Sequence, residues 1–269
     1  MPSSRLFTTC CAIFALLASP AGAETLKARY TLSLIGLTVG QAGINATFTP
    51  STYKLEGSAR VSGIAAIVSS SKGAVTATGT INGTHLSPNA FAVTAANAQM
   101  SRTIRMALAS NAAKAIEIEP PFDPSPDRIP LSAGDQRGIV DPMSALLMPT
   151  TDGDVNSPSA CNRTLPVFDG GARFDITMTY KSTEHVEGNG YSGPVAVCAV
   201  RYTPIAGHRR NRKPTQYMAD NKDMEIWLAP VGNTHLLMPY HAAVMTMAGR
   251  AQMDATEFSV SGDATAKGK

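Results

Sequence analysis

Leu26-Lys27-Ala28-Arg29-Tyr30-Thr31-Leu32-Ser33-Leu34 alternates apolar and polar residues one by one. Successive side chains of an extended chain point to opposite faces, so the apolar groups share one side and the charged or hydroxylated ones the other. This is a β-strand with one wet face. The same period returns at Ala42, Ile44, Ala46 and Phe48, at Tyr53, Leu55, Gly57, Ala59 and Val61, and at Val75, Ala77, Gly79 and Ile81. Further strands are expected at Ile104 to Leu108, at Ile116 to Ile118, and at Phe174 to Tyr180. Others follow at Val195 to Tyr202, Met224 to Leu228, Leu236 to Met247 and Arg250 to Val260. Turn formers separate them, among them Gly36, Pro50-Ser51-Thr52, Asn82-Gly83 and Ser110-Asn111, and such short links imply antiparallel neighbours. The chain therefore reads as mainly β, a large curved antiparallel sheet or open half-barrel of about ten strands with one or two short helices.

One β-rich domain is expected over residues 24–262, with a disordered tail at 263–269. Five prolines between Pro120 and Pro130 cannot donate ladder hydrogen bonds, so this stretch should cross between two halves of the sheet. Asp141-Pro142, followed by Met143, Leu146 and Leu147, reads as an N-capped short helix stopped at Pro149. Ala28, Ala42, Ala46, Gly57, Ala59 and Ala77 are small residues on the inward faces. They leave room for close sheet contact or for an internal hollow.

Residues 1–23 have the form of a cleaved secretory leader: Arg5, an apolar run from Leu6 to Ala18, Pro20, then Ala21-Gly22-Ala23. The run is shorter than the roughly 20 residues a membrane-spanning helix needs, and no later stretch reaches that length. Cleavage near Ala23 and a periplasmic, soluble product are expected. The formal charge of +3 falls to +2 when Arg5 leaves, too weak a field to attract nucleic acid. Cys10 and Cys11 leave with the leader. Cys161 and Cys198 then remain as a pair, and in an oxidising compartment they are expected to form a disulfide.

Familiar chemical motifs fail in context. Gly188-Asn189-Gly190-Tyr191-Ser192-Gly193 spells a dinucleotide fingerprint, but Pro194 and a β-branched run follow where a helix should open, so it reads as a hairpin connection. Asp152-Gly153-Asp154-Val155-Asn156 begins like a calcium loop yet has Ser157 and Arg163 where the glycine and the final acid belong. The five histidines lack metal-ligand spacing, and no G-x-S-x-G elbow occurs, so no catalytic residue, metal or cofactor is assigned. Two candidate surfaces remain. Ile64, Ile67 and Val68 form a short apolar stretch between strands, expected to cap a barrel mouth and, if mobile, to act as a lid over an apolar ligand. Arg209, Arg210, Arg212 and Lys213 form a basic loop, a candidate contact for anionic lipid or an acidic protein.

Asp141-Pro142-Met143-Ser144-Ala145-Leu146-Leu147, Val167-Phe168-Asp169-Gly170-Gly171-Ala172-Arg173-Phe174-Asp175, Cys198-Ala199-Val200-Arg201-Tyr202 and the Tyr30 to Gly40 hairpin together resemble the DUF3108 family of exported bacterial proteins. The resemblance implies a bacterial envelope protein and transfers no catalytic residues. The strand count is also similar to that of the half-barrel of lipoprotein-localisation carriers, a likeness of fold alone. Asp169-Gly170-Gly171 suits a tight turn, and Arg173 with Asp175 should form a cross-strand ion pair. The expected role is a non-enzymatic binding or carrier module for an apolar or lipid-like ligand, with the lid stretch and the Asp141 helix near the opening. The alternative is an envelope structural or assembly factor acting through its surface. Oligomeric state is left open.

Overall fold

The computed structural model describes residues 22–67, 70–151 and 153–262; the expected leader through residue 21 and the tail after residue 262 lie outside them. The first half is an unbroken antiparallel meander: β1 (Glu24–Leu34), β2 (Leu37–Phe48), β3 (Thr52–Val61), β4 (Lys72–Asn82), β5 (His85–Ala96), β6 (Ser101–Ala109) and β7 (Ala112–Glu119). A two-residue β8 (Met148–Pro149) precedes β9 (Arg163–Phe168), β10 (Arg173–Val186), β11 (Gly193–Ala206), β12 (Met224–Pro230), β13 (Leu236–Thr246) and β14 (Gly249–Gly262). The last strand pairs with the first, giving the order β7-β6-β5-β4-β3-β2-β1-β14-β13-β12-β11-β10-β9, with β8 on β13. Fourteen strands replace the expected ten or so: β5, β8 and β9 are absent from the runs read in the sequence, β8 being only two residues long and β5 and β9 each interrupted by a proline, Pro88 and Pro166.

The open path is tied at its two edges. Ala113 donates to Gln136 O and Ile139 to Asn111 O, while Val140 donates to Pro166 O and receives Phe168 N–H on its own carbonyl. Residues 136–140 thus pair with the start of β7 on one side and with β9 on the other. In the Pro-rich stretch Ile129 donates to His208 O.

Beyond Val140 the chain enters the centre of the sheet. Ile139, Asp141, Met143, Ser144 and Leu147 are buried there among Tyr30, Phe48, Tyr53, Leu55, Phe168 and Phe258. The expected helix is only a single 3-10 turn, Ser144–Leu146. Asp141 does cap it: one carboxylate oxygen accepts Met143 N–H at 3.0 Å and Ser144 N–H at 2.9 Å, and the other accepts Ser144 Oγ at 2.5 Å. Tyr53 Oη lies 2.7 Å from Ser144 Oγ, so with that hydroxyl given to Asp141 the tyrosine donates to it. Among the small inward residues Gly57 makes room for this insertion, while Ala59 lines an open hollow. A Cβ on Gly57 would lie 2.8 Å from Val75 Cγ1 and 3.2 Å from Met143 Cε, and one on Gly79 would collide with the Tyr53 hydroxyl.

A second apolar cluster sits over β10 to β13, where Met148, Val155, Ala160 and Cys161 pack on Met178, Ala196, Cys198, Leu228 and Leu237. Here Cys161 and Cys198 are disulfide-bonded, their Cα atoms 5.5 Å apart. The bond fastens the 150–162 loop to β11.

Candidate functional site

Because the strands alternate in direction, one end of the sheet gathers the 35–36, 97–100, 169–172 and 247–248 turns, the Pro-rich crossing and the segment after β11. Two open apolar hollows lie at this end. The first, about 750 Å³, is lined by Val39, Val61, Val93, Ile104 and Phe122, with Ala65 at its edge. The second, about 610 Å³, adjoins it through the shared Leu32 and Val39. Strand register explains its wall. Leu34, Ala251, Val244 and Met224 form one cross-strand row, and Leu32, Met253, Ala242 and Ile226 form the next. Side chains directly opposite in a ladder share a face, so eight apolar groups from four strands line one surface without a polar break. Both volumes fall within the usual range for small-molecule pockets.

The cap expected at the mouth is a 3-10 turn, Gly63–Ile67, and it packs on β2. Ser62 N donates to Val39 O beside it. Ala65 lines the first hollow, and Ile64 and Ile67 belong to the same turn; Val68 lies outside the described residues. The Asp141 element does not stand there, because its acid is completely buried in the centre. Arg60, Lys72 and Arg102 are the cations that line the first hollow, and Arg102 is held against its Phe122. Its guanidinium stacks over Phe122 at 4.5 Å and donates to Pro120 O and Pro121 O, which ties β6 to the crossing segment.

The basic run is at the same end and is not one loop. Arg209 pairs with Asp127 at 2.9 Å, and Arg210 N–H bonds to Asp127 O. Lys213 instead opens α1 (Lys213–Asp220), with Pro214 in its first turn. Proline suits the first turn of a helix, where its missing N–H would be unpaired anyway. Arg210, Arg212 and Lys213 are exposed, and no carboxylate among the described residues lies within ion-pair distance of them.

The remaining motifs resolve plainly. Gly188 to Gly193 links β10 to β11, and its Asn189 side chain bonds to Ala255 O. Arg173 and Asp175 do pair, at 2.7 Å, but along one strand rather than across two. Asp152 lies outside the described residues, and Asp154 accepts from the backbone and side chain of Asn156. No group of three metal-ligating side chains occurs among the described residues. None of their helices is long and apolar enough to cross a membrane.

These features define an antiparallel β-meander protein with a filled centre and an apolar-walled end. The chain belongs to the family described as protein of unknown function (DUF3108), whose model matches residues 29–256. No curated protein matches it. Among solved structures it is similar to a β-barrel-like protein of domain of unknown function DUF1849 from Brucella abortus. The identity is 10% and the TM-score 0.49, over 90% of this chain and 98% of that chain.

Proposed function

We propose that the chain is an exported, periplasmic, non-enzymatic binding or carrier protein whose two adjoining hollows hold an apolar, lipid-like ligand. The observation that carries this reading is the unbroken apolar wall of the second hollow. Most of its side chains, including Leu32, Leu34, Ala242, Val244, Ala251 and Met253, are only half-buried. Contiguous apolar surface left open to water is disfavoured at roughly 25 cal/mol per Å² and marks an interaction site. The leader pattern and the disulfide support export to an oxidising compartment.

Protein purified from the periplasm is expected to release lipid on solvent extraction, seen by mass spectrometry in near-stoichiometric amount. It should also take up N-phenylnaphthylamine. Ala242→Trp places an indole in the second hollow and should weaken uptake at least tenfold while leaving the unfolding midpoint within a few degrees. A lipid-free protein that ignores the probe would overturn the proposal.

A further inference from the structure

The large apolar side chains that the fold leaves exposed are not scattered. Ile35 is 64% exposed, Met247 60%, Leu37 49%, Met100 44% and Ile205 39%. All five stand on turns or strand ends at the end that carries the hollows. Ile35 and Met247 belong to neighbouring turns, since Ile35 N donates to Arg250 O. Single exposed apolar residues need no explanation, but five at one end do.

Ile35 is the most telling. Its φ is +46° and that of Gly36 is +80°, the mirror-image turn that asparagine and glycine favour. A β-branched residue in the left-handed region is strained, and strain of this kind gathers at functional positions. This isoleucine therefore adds backbone strain and wet apolar surface together, while the fold gains little from its side chain.

We infer that this end of the molecule docks on an anionic lipid surface, with Ile35, Leu37, Met100 and Met247 entering the hydrocarbon boundary and the unpaired cations Arg210, Arg212 and Lys213 meeting headgroup phosphates. Charge favours that occupant, because basic groups at an apolar edge are what anionic lipid attracts. Two of the acids at this end are engaged, Asp127 with Arg209 and Asp223 with Arg250. Glu119, Asp123 and Asp220 remain exposed there and temper the field. Separate tips around a hollow also suit a fluid surface better than a protein partner, which needs a continuous complementary patch. The inference goes beyond the carrier reading and does not need it.

The test is flotation of the mature chain with vesicles of phosphatidylglycerol and phosphatidylethanolamine, and separately with phosphatidylcholine alone. Binding is expected on the anionic vesicles, weakened severalfold by 0.5 M salt. Ile35→Asn suits the turn better, so it should leave the unfolding midpoint equal or higher while lowering partition. Combined with Leu37→Ser and Met247→Ser it should lower partition at least tenfold. Unchanged partition of the triple variant, or no binding to any vesicle, overturns the proposal. So does a concentration-dependent dimer in sedimentation that the triple variant abolishes, because the tips would then meet a second copy of the chain. Vesicle binding by a protein that carries no lipid and ignores the probe would leave docking standing and sink the carrier reading alone.

Discussion

Replacing Cys161 and Cys198 together by alanine is expected to lower the thermal midpoint by about 10 °C. The bond closes a loop across 37 positions. In the chain-entropy account, opening such a loop frees the unfolded ensemble by about 4 kcal/mol. A domain of this size loses roughly 2–4 °C for each kcal/mol. Both cysteines are completely buried beside Met148, Leu228 and Leu237, so the double variant also removes packed sulfur atoms from the second cluster. Calorimetry of the double variant, with the reduced wild type as control, reads the effect. A midpoint within 2 °C of the wild type would show that the 150–162 loop is held by its apolar contacts alone.

Asp141→Ala should cost about 3 kcal/mol, the second large effect. It would leave the buried N–H groups of Met143 and Ser144 without an acceptor, at roughly 1–3 kcal/mol for each group. Release of a buried carboxylate offsets part of that loss. Asp141→Asn retains an acceptor for both N–H groups and should cost less than half as much. The pH dependence separates charge from hydrogen bonding. Burial holds the Asp141 carboxyl above its ordinary value, against the opposing pull of its Ser144 and Met143 hydrogen bonds. As pH falls through the raised native pKa, the folded state takes up a proton before the unfolded one does. The wild type should therefore gain stability relative to Asp141→Asn on acidification, levelling off below the ordinary carboxylate range near pH 4. Paired urea titrations from pH 7 to pH 3.5 read this. A gap that stays constant would show that the acid is not held in a raised state.

The strand content was legible because β1 to β4 and β6 repeat with period two and short turns join most neighbours. Leu26 to Leu34 predicts β1 almost residue for residue, and the cysteine pairing was legible because Cys10 and Cys11 fall in a stretch expected to be cleaved, which leaves Cys161 and Cys198. Three features were not legible. The 139–147 insertion has the composition of a helix, and only its burial against Tyr53 and Met143's fit over Gly57 shows why one turn suffices. The helix at Lys213–Asp220 hides behind Pro214, which ends some helices and begins others. The second hollow depends on register across β12, β13, β14 and β1, strands remote in sequence whose apolar rows line up only once they pair. Ile35 carried a signal that could have been used, an isoleucine beside Gly36 where a tight hairpin calls for asparagine.

The pairing of β1 with β14 has a consequence for how the chain is made. Glu24 faces Gly262 across that ladder, and the two strands pair along almost their whole lengths, with one bulge between Arg29 and Tyr30. A polypeptide emerging amino-terminus first therefore holds β1 with one bare edge until β14 has emerged. Their pairing is a late event, slow by its nature because the partners are so distant along the backbone. Until then the exposed edge is open to wrong pairing, and a holding factor along the route would guard that interval.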